Sequence, residues 1–338
     1  MGTVPADDSD RDRQTGKTLV STDVPDLISV IMPCFNAERF VADAVNSVLP
    51  QNGGRVELIV VDDGSTDRSR EVLAALAAAN PGQMQVLHQA NRGPYPARNL
   101  GLRRARGAYI AFLDADDYWD PGCLEKLRSA LDETEADVAY CGWQNVGVGA
   151  PGTEPYVPPR YESGDAALSF LGSCPWPIHA ALVRHDVIRA VGGFSERYFS
   201  SMDYDLWLRI LAHTRRMTRV AEVLAYYRWH GQGQISSTNW RQVMDAWRVR
   251  RDFVADHPGL TEHIPRTTLS ELVDGVVLKA AYRAYWRRDL KSAQPLFRKA
   301  LALGRIGWPD LKYAFASLLP PPIYRSLLRF IDAAKPPE

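Results

Sequence analysis

A buried strand followed by an amphipathic helix is encoded in residues 27–49, LISVIMPCFNAERFVADAVNSVL. The apolar run Leu27–Met32 stops at Pro33, and Val41 and Val45 then recur at helical spacing. A strand that passes directly into a helix is the first half of a βαβ unit. The beginning of the chain therefore predicts an α/β fold.

The alternation of strand and helix continues as far as residue 113. The further predicted strands are Glu57–Val61, Met84–His88 and Ala108–Leu113, and the predicted helices run from Ser65 or Thr66 to Ala79 and over Pro96–Arg106. Such a series predicts a mostly parallel sheet flanked by helices. Ligands of these sheets bind at the carboxyl ends of the strands, so the residues that follow each strand are the candidates for a site.

The second half of the chain has a weaker pattern. Residues 147–159 are rich in Gly and Pro and predict a loop, and a strand over Ala180–Val183 is followed by helices over Val187–Val191 and Tyr204–Ala212. From about Trp240 onward the sequence is helical, with a helical hairpin over Tyr282–Leu303. We predict a disordered tail over residues 1–26, a sheet domain over 27–240 and a helical region over 241–338.

The composition is that of an ordinary globular protein. Among 338 residues, Lys plus Arg and Asp plus Glu both number 40, so no overall field attracts nucleic acid. The four cysteines are scattered without metal-ligand spacing, which favours a reduced, intracellular protein. The N-terminal residues lack the apolar segment of a signal peptide, and no run of about 18 apolar residues predicts a spanning helix. We expect a cytoplasmic protein, with association at the inner face of the membrane left open.

Acidic residues follow two of the predicted strands. Asp62 and Asp63 follow one strand, and Asp114, Asp116 and Asp117 follow another in the segment AFLDADD, residues 111–117. Like charges this close together are costly unless a cation is present, and carboxylate oxygens suit Mg²⁺ or Mn²⁺. The segment therefore predicts a metal site, with a solvated acidic turn as the alternative, while Asp63 is also compatible with a helix N-cap.

Five segments of the chain resemble, in order, the motifs of family 2 glycosyltransferases with the GT-A fold. They are PCFN at 33–36, VVDDGSTD at 60–67, NRGPYPARNLGL at 91–102, FLDADD at 112–117, and GGF at 192–194 followed by MDYDLWLRI at 202–210. The resemblance extends roughly from Leu27 to Trp240. It implies an inverting, metal-dependent sugar transfer in polysaccharide or glycoconjugate biosynthesis.

The resemblance also implies a role for each matching residue. It assigns to the donor site Pro33, Phe35, Asn36, Asp63, Arg98, Asp114 and Asp116. Asp63 would contact the nucleotide base, Asp114 the ribose, and Asp116 a Mn²⁺ or Mg²⁺ ion that bridges the two phosphates. Arg98 would lie against the nucleotide.

The resemblance identifies Asp203 as the catalytic base. The family has a Glu-Asp pair before a Leu-Trp helix, and here Met202 replaces the Glu, so the support around the base differs. Asp203 is also compatible with a helix N-cap. His230 matches a residue that approaches the metal or the diphosphate, although a lone His is more often structural. The two prolines that flank Trp176 suggest an exposed, stiff loop whose ring could stack on an acceptor sugar, while ordinary core packing is the more common role of such an aromatic residue.

The expected partners are a nucleotide-sugar donor, with a UDP-sugar as the first expectation, and a carbohydrate or lipid-linked acceptor. Basic and aromatic residues of the C-terminal helices could dock the enzyme on a membrane, although a solvated or self-packing helical face is the commoner explanation of such a pattern: Tyr282, Tyr285, Trp286, Arg287, Arg288 and residues 324–331. A catalytically inactive binding or scaffold protein is one alternative function. A nucleotidyltransferase is another, but it would normally have a Gly-rich, basic phosphate loop where PCFN stands.

Overall fold

The computed structural model describes residues 23–230, 240–324 and 326. Its strands are β1 (Val24–Cys34), β2 (Val56–Asp62), β3 (Met84–His88), β4 (Gly107–Phe112), β5 (Tyr118–Trp119), β6 (Val138–Gly147), β7 (Ala181–Arg184) and β8 (Met217–Trp229). Its α-helices are α1 (Val41–Val48), α2 (Ser69–Ala79), α3 (Pro94–Leu102), α4 (Cys123–Thr134), α5 (Ala166–Gly172), α6 (His185–Ala190), α7 (Met202–His213), α8 (Trp240–Asp256), α9 (Arg266–Ser270), α10 (Val276–Trp286), α11 (Leu290–Ala302) and α12 (Leu311–Ser317).

The eight strands form one sheet in the order β3-β2-β1-β4-β7-β6-β8-β5. Strands β3, β2, β1 and β4 run parallel, because helices α1, α2 and α3 carry the chain back between them. The predicted α/β sheet is therefore confirmed. Strand β7 pairs antiparallel with both β4 and β6, and β8 pairs parallel with β6.

Several elements differ from the sequence-based expectations. Strands β5, β6 and β8 and helix α4 were not predicted. The predicted loop over 147–159 contains one isolated bridge, in which Trp143 and Tyr156 exchange backbone hydrogen bonds of 2.9 Å. Residues 1–22 of the predicted tail lie outside the described residues, and Val24–Asp26 already belong to β1. The sheet therefore begins earlier than expected.

The chain has two hydrophobic cores. The larger one surrounds the sheet, where Ile28, Val30 and Ile31 of β1 are fully buried, and it also includes Val249 and Phe253 of α8. The smaller one is built by α10, α11 and their neighbours, which confirms the predicted helical hairpin. Helix α8 thus packs in both cores, because its Met244 and Trp247 belong to the smaller one, although the sequence-based boundary at residue 240 assigns it to the helical region alone. The boundary itself stays a prediction.

Two further sequence-based expectations concern cysteines and membrane spans. All four cysteines are free thiols, three of them buried, while Cys174 is exposed. Across residues 23–230 and 240–324, none of the helices combines the length and the apolar character that a bilayer crossing requires.

Candidate active site

The acidic turn after β4 lies at the carboxyl edge of the parallel strands. The Asp117 amide donates a hydrogen bond of 3.0 Å to the Asp114 carbonyl, which closes a tight turn. The side chains of Asp114 and Asp116 are 30% and 29% exposed, whereas that of Asp117 is buried. Two carboxylates of the turn are therefore open to a ligand, and the third points into the protein.

Arg98 compensates part of this negative charge. Its guanidinium is buried and forms an ion pair with Asp114. The rings of Tyr95 and Phe194 lie 5.6 and 5.4 Å from the guanidinium carbon, a distance typical of cation–π contacts. Within the described part of the chain, Arg98 Nε has no hydrogen-bond partner. A buried, unpaired N–H of this kind is a suitable donor for a ligand oxygen.

Asp116 meets His230, which follows the end of β8. The Asp116 Oδ2 and His230 Nε2 atoms are 3.0 Å apart, and the His230 ring stacks on Phe40 with centroids 5.0 Å apart. Burial, together with the charges of Asp117 and Asp114, raises the pKa of Asp116 to about 6, although the contact with His230 opposes this. A nearby cation would keep this carboxyl ionised.

Asp117 and His179 were not assigned a role from the sequence, although AFLDADD contains Asp117. Asp117 Oδ1 accepts a 2.8 Å hydrogen bond from the Arg228 amide in β8, and Asp117 Oδ2 lies 3.1 Å from His179 Nδ1. Both side chains are fully buried. Asp117 therefore ties the acidic turn to β8, which carries His230 to Asp116.

Asp203 lies in the first turn of α7 and is close to the same group of charges. Burial raises its pKa above the ordinary value, and the negative charge of Asp114 adds to this, whereas the Tyr204 amide and Arg98 oppose it. Arg98 and Asp114 thus interact electrostatically with Asp203, and Asp114 also raises the pKa of Asp116. The charge of Asp114 thus acts on both Asp116 and Asp203.

The residues present fit a divalent cation that a substrate helps to hold. In the parts of the chain that the structure describes, His, Cys, Asp and Glu nowhere form a group of three or more suited to a metal ion. Asp116 and His230 nevertheless present one carboxylate and one imidazole 3.0 Å apart. Mg²⁺-type ions are often bound by one or two carboxylates, with waters and substrate phosphates completing the coordination.

Asp63 has a structural task in addition to its predicted contact with the base. Its carboxylate accepts hydrogen bonds from the Arg92 amide (2.9 Å), the Gly93 amide (2.8 Å) and the Gln89 side chain (2.7 Å). Gly64 follows with φ of +75°, and an added Cβ would approach the Asn91 nitrogen to 2.8 Å. Asp63 therefore clamps the loop that leads into α3 and Arg98.

The other predicted donor-site residues lie around this loop. Asn36 has φ of 50°, and its side-chain oxygen accepts hydrogen bonds from the Thr66 and Asp67 amides. Phe35 is 49% exposed, and Pro33 is buried within β1. Phe35 and Asn36 are both exposed, and Phe35 is the one of the three that offers an aromatic face to a nucleotide base.

The expectation that Trp176 is exposed is wrong. Its side chain is 2% exposed and stacks on Tyr140, with ring centroids 4.4 Å apart. The rings of Tyr161, Phe170 and Trp207 complete the cluster. The flanking prolines led to an exposed loop in the prediction, but burying a large aromatic surface outweighs that local preference. No ring face of Trp176 remains for a sugar.

A parallel βαβ sheet with carboxylates at the ends of its strands is the arrangement that the resemblance to GT-A glycosyltransferases predicts. Residues 29–191 match the family model "Glycosyl transferase family 2". Residues 29–191 thus form a glycosyl transferase family 2 region, which covers slightly less than half of the chain.

Relatives and solved structures agree with the family. The chain is 29% identical over 233 residues to the putative teichuronic acid biosynthesis glycosyltransferase TuaG of Bacillus subtilis, covering 68% of this chain and 90% of TuaG. It is 36% identical over 137 residues to the uncharacterized glycosyltransferase EpsJ of the same organism, over 40% of this chain. The match spans only 39% of the length of EpsJ.

Two solved structures show the same fold at low sequence identity. Residues 1–349 of S. aureus TarS, in complex with UDP-GlcNAc, superpose with a TM-score of 0.59 at 20% identity, over 91% of this chain and 92% of that one. The mannosyltransferase PcManGT from Pyrobaculum calidifontis, in complex with GDP-Man and Mn²⁺, gives a TM-score of 0.55 at 16% identity, over 90% and 87%. The GT-A fold of this chain is thereby confirmed.

The clamp made by Asp63 predicts a local effect of its removal. We expect Asp63→Ala to lower the free energy of unfolding by about 1–3 kcal/mol, because it leaves two loop amides without an acceptor. Amide hydrogen exchange in residues 89–93 should become faster. Gln89→Ala, which removes only one of the three bonds, should have a smaller effect. Unchanged exchange at Arg92 and Gly93 in Asp63→Ala would contradict the clamp.

Proposed function

We propose that this protein is an inverting glycosyltransferase that moves a sugar from a nucleotide-diphosphate donor to an acceptor hydroxyl in glycoconjugate or polysaccharide biosynthesis. One observation carries the proposal. Asp203, Arg98, Asp114 and Asp116 form a single electrostatic group beside His230 at the carboxyl edge of the sheet. A structural N-cap would explain Asp203 alone, but it would not explain this convergence.

A UDP-sugar is the first donor to test. The TarS structure contains UDP-GlcNAc, and the PcManGT structure contains GDP-Man and Mn²⁺, so both neighbours support a nucleotide-sugar donor. In this chain, the exposed Phe35 ring and the Asp63 loop would receive the base, and Asp114 the ribose. The unpaired Arg98 Nε would donate to a donor oxygen.

The donor bond breaks with negative charge developing on the diphosphate. Asp116 and His230 would hold a Mn²⁺ or Mg²⁺ ion there, and such an ion stabilises the leaving group by several kcal/mol. Arg98 already balances Asp114, which limits the repulsion between the acidic turn and an incoming diphosphate. The residues thus favour departure of the nucleotide.

Asp203 would remove the proton from the attacking acceptor hydroxyl. Its raised pKa brings it closer to that of an efficient general base near neutral pH. A single attack opposite the leaving diphosphate inverts the anomeric centre. Phe199, 74% exposed and four residues before Asp203, would offer its ring to an acceptor sugar.

Substitution of the base gives the first test. We expect Asp203→Asn to lower kcat about 10²–10⁴-fold, because the amide cannot take the proton. The Kd of UDP, measured by calorimetry, should stay within about twofold of the wild-type value, since the nucleotide contacts remain. Transfer would be followed as free nucleotide released from UDP-sugars in the presence of acceptor extracts.

The exposed residue Asp256 on α8 provides a matched control, and Asp256→Asn should keep full activity. Wild-type activity in Asp203→Asn would refute the assigned base. If the wild type releases no nucleotide from any donor in a broad panel, the protein is a binding or scaffold protein.

Removal of the cation ligands gives the second test. We expect Asp116→Ala and His230→Ala each to weaken Mn²⁺-dependent UDP binding by at least about 10-fold, because each change removes one of the two ligands. Calorimetry with Mn²⁺ and with a chelator measures the difference. Equal UDP affinity with and without Mn²⁺ in the wild type would contradict a metal-dependent donor site.

A lipid-linked acceptor at an anionic membrane fits the charge of the C-terminal helices. Residues 276–338 contain 12 Lys and Arg but only 4 Asp and Glu, although the whole chain is neutral. Large apolar side chains are exposed on the same region: Trp308 at 87%, Phe315 at 60%, Leu318 at 54% and Ile323 at 54%. Cations near an anionic surface contribute about 1 kcal/mol each, and exposed Trp and Phe favour the interface.

The tyrosines expected to dock on the membrane are not suited to it. Tyr285 and Tyr324 are buried, and the Tyr282 hydroxyl donates to Asp310. Residues 325 and 327–331 of the predicted docking segment lie outside the described residues. The proposed docking surface is therefore Trp308, Phe315, Leu318 and Ile323 with the surrounding cations.

Vesicle flotation tests this surface. We expect the protein to float with phosphatidylglycerol–phosphatidylcholine vesicles, less so in high salt, and to stay at the bottom with phosphatidylcholine alone. Trp308→Ser with Phe315→Ser should abolish flotation, whereas Val148→Ser, at an 89% exposed apolar side chain far along the chain, should not. A dimer that dissociates in the double variant, without any flotation, would instead show a self-association surface.

A further inference from the structure

The loop that leads into Asp203 has a strained backbone. Ser201, the residue before α7, has φ of 62°, in the left-handed region that a serine seldom occupies. Its carbonyl accepts a 3.0 Å hydrogen bond from the Asp205 amide, so this conformation directs the first turn of α7. Such a conformation persists only when neighbouring structure imposes it.

Asp245 of α8 holds the loop from the other side. Its Oδ2 accepts hydrogen bonds from the Ser200 amide (3.2 Å) and the Ser200 hydroxyl (2.9 Å). Ser200 is 1% and Asp245 is 4% exposed. The second carboxylate oxygen accepts a hydrogen bond of 2.7 Å from the Arg248 guanidinium, which offsets part of the cost of burying the charge. The amide and the hydroxyl of Ser200 thus both donate to one side chain, that of Asp245.

Two further contacts of α8 support the same segment. Asp252 accepts a 2.6 Å hydrogen bond from the Tyr198 hydroxyl, before the strained residue. On the other side of the strained residue, the Arg250 guanidinium lies 4.9 Å from the ring centre of Tyr204. The Arg250 Nε donates a hydrogen bond of 2.8 Å to the Leu171 carbonyl. Helix α8 therefore contacts the chain on both sides of Asp203.

We propose that Asp245 is a positioning residue, which fixes Asp203 in the orientation required of the base by holding Ser200 and the strained turn at Ser201. The proposal rests on the role of Asp203 proposed above. Asp245 lies outside the five segments that resemble the family, so it adds a requirement that those segments do not contain. The helical region is then part of the active site and not a separate module.

Asp245→Leu, of similar size but without acceptors, is the principal variant. We expect kcat, calculated from the concentration of nucleotide-binding sites, to fall at least about 10-fold, because proton transfer depends steeply on geometry. The donor KM and the Kd of UDP should change less than about twofold, because the hydrogen bonds that the structure gives Asp245 go to Ser200 and Arg248 and not to the proposed donor site. Counting binding sites by UDP titration removes any loss caused by unfolded protein. Amide exchange at Ser200 should become faster.

Two milder variants keep the proposal testable if Asp245→Leu does not fold. Asp245→Asn keeps one oxygen that can accept hydrogen bonds from Ser200, so it should retain most of the activity. If the negative charge of Asp245 were what the site requires, this variant would instead lose activity. Ser200→Ala removes the hydroxyl bond and keeps the amide bond, so its kcat should lie between those of Asp245→Leu and the wild type. Asp256→Asn, an exposed carboxylate on the same helix, is the charge control.

The outcomes separate this inference from the proposed base. If Asp203→Asn is inactive while Asp245→Leu and Ser200→Ala keep wild-type kcat, the positioning role is overturned and the base stands. If kcat and UDP affinity fall together in Asp245→Leu, Asp245 is only structural, and the inference is again overturned. If Asp203→Asn is fully active, the proposed base fails whatever Asp245 does.

Discussion

Arg98 is the cation on which the candidate site depends. Four carboxyl groups lie near one edge of the sheet, those of Asp114, Asp116, Asp117 and Asp203. In a site of low dielectric, repulsion between such carboxylates would drive them apart. The buried Arg98 forms an ion pair with Asp114, and its positive charge also acts on Asp203. It leaves Asp116 less compensated, which is where a cation brought with the diphosphate would complete the balance.

The second constraint is that the acidic turn must stay attached to β8. Buried Asp117 forms that attachment through the Arg228 amide of β8, and its other carboxylate oxygen lies beside His179. One short turn therefore contains side chains with opposite tasks: Asp114 and Asp116 face outward to bind, and Asp117 faces inward to support. The spacing of the three acids is what permits this, because neighbouring residues in a turn point in different directions.

The sequence predicted the part of the fold in which each element has a local signature. Strand β3 was predicted at its observed bounds, and the βαβ order up to β4 follows from apolar runs and helical spacing. Strands β6 and β8 were missed, because they lie at the far side of the sheet, and β8 mixes buried with partly exposed residues. At the site, Asp203, Asp114 and Asp116 could be found because motifs contain them. The burial of Trp176 could not, since it depends in part on Tyr140 and Trp207, which are distant in sequence.

The same reason explains why the boundary drawn at residue 240 obscured the role of α8. Ser200 and Asp245 are 45 residues apart, and neither belongs to a repeated or recognisable pattern. A switch to helical periodicity looks like a new domain, yet α8 places Val249 and Phe253 in the core of the sheet domain. A buried carboxylate is stable there only if its hydrogen bonds are fixed, so the contacts that keep Asp245 satisfied also keep the Ser200 loop in one conformation. Stability of the helix and geometry beside Asp203 are therefore set by the same bonds.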